Sequence, residues 1–147
     1  MRQFTDTQGR SWQIVLNLGT ALRVKDALGV DLLAPEAGEP PLVTRLTTDE
    51  FLLGSVICQL LARQMEACKL TEADILAAFD GATLLAAQEA FFAEMVDFFR
   101  SRGRADRAAA VAKHAALMQA AVRAAEAQVA AIRPETILGG TSGASPG

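Results

Sequence analysis

Between Trp12 and Leu33 the hydrophobic period of the chain changes from two residues to the helical spacing with almost no spacer, and this constrains the fold more than any other feature. Trp12, Ile14 and Leu16 alternate along one face of a strand. With Phe4 and the turn Asp6-Thr-Gln-Gly9 before them, they predict a β-hairpin over residues 4–16. A two-stranded hairpin is marginal in water, so its apolar face needs a cover, and the helix that follows is the natural one. Over residues 20–28, Ala21, Leu22, Val24 and Leu28 form one apolar stripe, with Arg23, Lys25 and Asp26 mostly turned away. Gly29 suits the left-handed position just past a helix end, and Val30 with Leu32-Leu33 returns the chain to the core.

Pro35, Gly38, Pro40 and Pro41 predict a surface loop over residues 34–42. Order is expected to resume at Thr47-Thr-Asp-Glu50, a capping-box spacing ahead of an apolar run. The helix it opens, 49–66, places Leu53, Val56, Ile57, Leu60 and Leu61 on one face, with Ser55, Gln59 and Glu66 opposite. A second cap at Thr71-Glu-Ala-Asp74 opens a short helix with Ile75, Leu76 and Phe79, stopped at Asp80-Gly81. The next helix, 82–99, presents Leu84, Leu85, Phe91, Phe92, Met95, Phe98 and Phe99 as a broad apolar face. Ala86, Ala90, Glu94 and Asp97 are assigned to its other side. A Met and Phe stripe at this spacing is core packing rather than a cofactor box. Each large side chain fully buried contributes about 1.5–3 kcal/mol, so this helix and 49–66 are expected to carry most of the stability.

Arg100, Arg102, Arg104 and Arg107 fall within eight residues around Gly103. Cations at the end of the preceding helix are favourable against its dipole, and a charged linker keeps water between two helices. The competing reading, a clamp for phosphate or an acidic partner, lacks interleaved aromatics for base stacking. Beyond it, residues 105–132 read as one alanine-rich helix, about 42 Å long if continuous. Ala108, Val111, Ala115, Met118, Val122, Ala125, Val129 and Ile132 are spaced alternately three and four apart, a heptad seam whose flanks, Gln119, Ala121 and Gln128, carry almost no charge. The larger seam residues, Val111, Met118, Val122, Val129 and Ile132, are the candidate partner-binding set. The seam suits a helical partner, a second copy or the chain's own core. After Pro134 the composition is that of a flexible tail.

The expected fold is therefore mainly α, with a small N-terminal β-hairpin packed on a helical domain (1–100), a long amphipathic C-terminal helix (101–133) and a flexible tail (134–147). A net charge of −3 argues against a dedicated nucleic-acid binder. No apolar run approaches the ~20 residues a membrane span requires, and Met-Arg-Gln-Phe-Thr-Asp lacks the pattern of a secretory signal, so the product is expected to stay in the cytoplasm. Cys58 and Cys68, ten residues apart without a neighbouring His, support neither a redox dithiol nor a zinc site and are read as reduced thiols. His114, the only histidine, is read as a lone solvent-edge residue beside the seam. No nucleophile, base or metal set assembles from these residues, so no enzyme, metal or cofactor is expected.

Trp12-x-Ile14, then Gly19-x-x-Leu22-Arg23-Val24-Lys25, then Leu28-Gly-Val-Asp-Leu-Leu33, resemble small tail-module proteins of tailed bacteriophages and prophages, of the tail assembly chaperone type. The similarity continues loosely to Val96-Asp-Phe-Phe99 and covers roughly residues 2–100. It implies a non-catalytic protein that binds the long helical tape-measure protein, or another tail protein, while the tail tube assembles. The rival reading is a homo-oligomeric structural or scaffold protein of a virion or prophage particle. A small DNA-packaging subunit using the 100–107 arginines ranks below both.

Overall fold

The structure, a computed structural model, describes residues 2–132. Two antiparallel strands, β1 (Arg2–Thr5) and β2 (Ser11–Ile14), form the hairpin, with Phe4 opposite Trp12 and Arg2 opposite Ile14. Seven helices follow among the described residues: α1 (Leu18–Leu28), α2 (Leu42–Thr48), α3 (Glu50–Leu60), α4 (Ala62–Ala67), α5 (Glu72–Ala77), α6 (Gly81–Ser101) and α7 (Ala105–Ala131). The expected class, mainly α with an N-terminal hairpin and a long C-terminal helix, is the observed one. The predicted tail, 134–147, lies outside the described residues.

The chain divides into two compact units, with the boundary between Ala115 and Ala116 rather than near residue 100. In the first, Trp12, Ile14 and Leu16 are buried as their alternation predicts, and the hairpin is covered mainly by α6, while α1 packs on α3. The helix nearest in sequence is thus not the main cover; the broader, Phe-rich face of α6 takes that place. Phe91 and Phe92 stack at 5.6 Å between centroids, and Phe79 meets Phe4 edge-on at 5.5 Å.

One polar network organises the hairpin internally, and Glu94 and Gln64 tie it to the helices. Asp6, expected only as a turn residue, is buried, and its carboxylate accepts hydrogen bonds from the Gln8 and Arg10 amides (2.9 and 3.0 Å), Arg10 Nε (2.8 Å) and Trp12 Nε1 (2.8 Å). Burial pulls this carboxyl upward, but the hydrogen bonds from Trp12 and Arg10, with that from Gln8, outweigh it and hold the group below its ordinary value. Glu94 corrects the sequence reading that set it on the outer side of α6. It is buried and its Oε2 accepts from the Leu16 amide at 2.9 Å, where β2 has ended and the backbone needs an acceptor. On the strand's outer edge, the Gln64 amide pairs with both the N–H (2.9 Å) and the carbonyl (2.7 Å) of Gln13, as a neighbouring strand does.

Side-chain caps set the starts of α1, α3, α5 and α6. Asn17 and Thr20 form a reciprocal box at α1, Gly29 closes that helix at φ 68°, and the Thr71/Asp74 box opens α5 as predicted. The 47–50 box does not form. Thr47 and Thr48 lie at the end of α2 and donate to the Thr44 carbonyl, and Asp49 caps α3 through the Leu52 amide. Helix α2 has no counterpart in the sequence reading, which places Leu42 in the loop and Thr47 at a helix start and assigns nothing to residues 43–46. Its seven residues include three Thr and one Val and carry a weak helical pattern, and burial of Leu42 and Leu46 one turn apart stabilises it. The predicted 49–66 helix is divided at Leu61 into α3 and α4, with Leu53, Val56, Ile57, Leu60 and Leu61 all buried.

Candidate partner-binding surface

The first turns of α7 belong to the core of the first unit. Ala108 and Val111 are buried there and Ala115 packs against the same cluster. Val111 is therefore corrected from the partner-binding set: its side chain is already covered within the chain. Arg107 fastens this root, donating to the Leu33 carbonyl and pairing with Glu36 at 3.0 Å. Arg104 makes a two-pronged pair with Asp106 at 3.0 and 2.8 Å, whose hydrogen bonds hold the Asp106 carboxyl far below its ordinary value. Two of the four clustered arginines are thus tied to carboxylates of this chain, which lowers the cationic potential a phosphate clamp needs.

His114 is half-buried rather than at the solvent edge. Its Nε2 lies 3.3 Å from Thr47 Oγ1, and its ring meets Phe92 edge-on at 6.2 Å. The Thr47 hydroxyl proton is donated to the Thr44 carbonyl, so Nε2 carries the hydrogen and donates to Thr47. Burial depresses the imidazole pKa below its ordinary 6.5, favouring the neutral ring. This contact makes His114 a packing residue at the root of α7. Cys58 is buried, which pushes its thiol up to about 12 with a smaller contribution from the Glu72 charge; Cys68 is exposed.

In the second unit the seam continues with different surroundings. Met118 and Val122 are half-buried, whereas Ala125, Val129 (68% exposed) and Ile132 (52% exposed) face solvent. Leu117, off the seam, is also exposed. Eight of the seventeen residues from 116 to 132 are alanine, so helix propensity sustains the segment where burial is thin. The five predicted positions are consequently divided: Val111 in the core, and Met118, Val122, Val129 and Ile132 together on the second segment.

The first unit also carries apolar groups at its surface that sequence reasoning missed. Leu22, expected in the buried stripe of α1, is 56% exposed, and Leu18 one turn earlier is more so. A shallow groove of 350 Å³ runs beside them, bounded by Lys25, Asp31 and Leu33. Helical periodicity shows that Leu22 belongs to an apolar stripe, but not how wide a stripe the neighbouring helix covers. Phe51, in the first turn of α3, is the most exposed large apolar side chain among the described residues, at 87%.

No three His, Cys, Asp or Glu side chains among the described residues are placed to hold a metal ion, and no described helix is long and apolar enough to cross a membrane. Compared with protein-family models, curated proteins and solved structures, the chain matches none.

Proposed function

We propose that this chain is a non-catalytic binding protein of the tail assembly chaperone type, acting in the host cytoplasm, and that it holds a helical tape-measure protein through residues 116–132. One observation carries the reading: the heptad seam is covered by the chain's own core up to Ala115, and the same spacing continues beyond it with Val129 and Ile132 exposed. The likeness of residues 12–33 to tail-module proteins supplies the class of client.

Removing the still exposed parts of Met118, Val122, Val129 and Ile132 from water contributes about 3–5 kcal/mol gross, before the costs of ordering and association. The flanks Gln119, Ala121 and Gln128 offer no ion pairs and Glu126 is the one charge beside the seam, so recognition rests mainly on apolar packing and depends weakly on salt. The tape-measure protein is to be co-expressed with the chain and its co-purification compared for the unaltered chain, Val122→Glu and Val129→Glu. The expected result is loss of co-purification by at least about tenfold for each variant, with melting temperatures unchanged because neither side chain is fully buried. Capture unchanged in both folded variants would remove the seam as the client site, and a change confined to oligomeric state would favour the scaffold reading.

A further inference from the structure

The root of α7, residues 105–115, is thinly docked. Of its residues only Ala108 and Val111 are buried, whereas α3, with eleven residues, buries Leu53, Gly54, Val56, Ile57, Cys58 and Leu60. Ala115 adds a partly covered methyl group. The pairings that build the first unit, α6 on β1, α1 on α3 and α2 on α3, do not include α7. Small apolar groups contribute little on burial, so polar contacts must help to hold the root in place.

Those contacts are few, and one carries a cost. Arg107 donates to the Leu33 carbonyl and pairs with the half-exposed Glu36 at 3.0 Å, but its Nε is buried without a hydrogen-bond partner among the described residues. A donor taken from water and left unpaired opposes docking. His114 reaches Thr47 at 3.3 Å, and that hydroxyl already gives its proton to the Thr44 carbonyl. Undocking returns both side chains to water.

A joint lies just ahead of the root. Gly103, exposed and at φ 84°, links α6 to α7, and the corner is closed by the Gly103 amide on the Arg100 carbonyl (3.1 Å) and the Arg104 amide on the Phe99 carbonyl (2.8 Å). Rotation at such a residue can move α7 while α6 keeps Phe91, Phe92, Met95 and Phe99 buried. Ala108, Val111 and Ala115 continue the heptad spacing of residues 116–132, so what the core covers is the first part of the same seam.

We infer that residues 105–115 are an autoinhibitory latch: the root leaves the core as a unit about Gly103 while α3 and α6 stay folded, lengthening the seam offered to a helical client from 116–132 to 108–132. A client that contacts the longer seam binds the open form, and closure opposes it. The client's part in this rests on the reading of 116–132 as the client site; the opening itself does not.

Thiol labelling of the full chain tests the opening. Ala108→Cys puts a thiol in the buried root, with Cys58, buried in α3, and the exposed Cys68 as references in the same molecule. Iodoacetamide, applied at urea concentrations below the unfolding transition, is expected to label Cys68 at once. Position 108 is expected to react more slowly and with little dependence on urea, whereas Cys58 labelling rises steeply with urea because α3 opens only on global unfolding. Asp6→Ala weakens the hairpin, which stays folded when the root opens. It is expected to speed labelling of Cys58 by at least about tenfold and leave position 108 unchanged.

Glu36→Ala tests the latch without touching the seam. It is expected to speed labelling at position 108 about threefold and to raise capture of the co-expressed tape-measure protein by a similar factor. Position 108 reacting only in step with Cys58, across urea and in Asp6→Ala, would overturn the proposal, as would faster labelling in Glu36→Ala with capture unchanged. Capture unchanged in Val122→Glu and Val129→Glu would remove the client from the latch as well as from the seam, while the labelling decides the opening by itself.

Discussion

Phe91→Ala is expected to lower the unfolding free energy by about 3–5 kcal/mol, among the largest single effects in this chain. Phe91 is fully buried and stacked on Phe92 within α6, the helix that covers the hairpin. Removing its ring deletes apolar contacts and leaves a cavity whose walls belong to regular elements that relax only partly. Urea denaturation is the measurement: the midpoint should fall sharply while the slope stays constant, because the same surface is exposed on unfolding. Phe98→Ala provides the internal comparison, since Phe98 is only partly buried and should cost distinctly less. Equal losses at the two positions would contradict the placement of the core.

Asp6→Ala is expected to cost about 2–3 kcal/mol although it removes only a small acidic side chain. The substitution leaves the Trp12 indole N–H buried without its acceptor and takes two backbone amides and the Arg10 guanidinium from theirs. The pH dependence follows from the depressed pKa. Below its ordinary value of 3.8 the unfolded chain takes up the Asp6 proton more readily than the folded one. The stabilisation from Asp6 is therefore complete above that pH and is lost as pH falls through the lower, folded value. Thermal melts of the unaltered chain and the variant should differ widely at pH 7 and converge in strong acid; a constant gap would remove the charge from the explanation.

These two residues also mark how far the sequence could be read. Phe91 stands in a helical run of seven apolar residues, and a pattern that strong is visible without coordinates; so are the Trp12, Ile14, Leu16 alternation, the Gly29 stop and the Thr71/Asp74 box. Asp6 was legible only as a turn residue, because the groups that make it a buried acceptor converge through the hairpin register. Glu94 was misplaced because it serves an amide 78 residues away in sequence, which no local periodicity encodes. Thr47-Thr-Asp-Glu50 matched a capping box, yet burial of Leu42 and Leu46 extends helix through the threonines and passes the cap to Asp49. For the candidate site, the heptad spacing was readable but its division at Ala115 was not. Spacing reports which residues share a face, whereas coverage depends on how many neighbours the rest of the chain supplies.

The claim that residues 116–132 are the client-binding element is tested most directly by amide hydrogen exchange on the full chain, alone and with the co-expressed tape-measure protein. Alone, this segment should exchange rapidly, since propensity rather than burial sustains it, while α3 and α6 exchange slowly. With the client, exchange at 116–132 should slow by about tenfold or more. Protection that appears elsewhere in the chain and leaves 116–132 as fast as before would contradict the account.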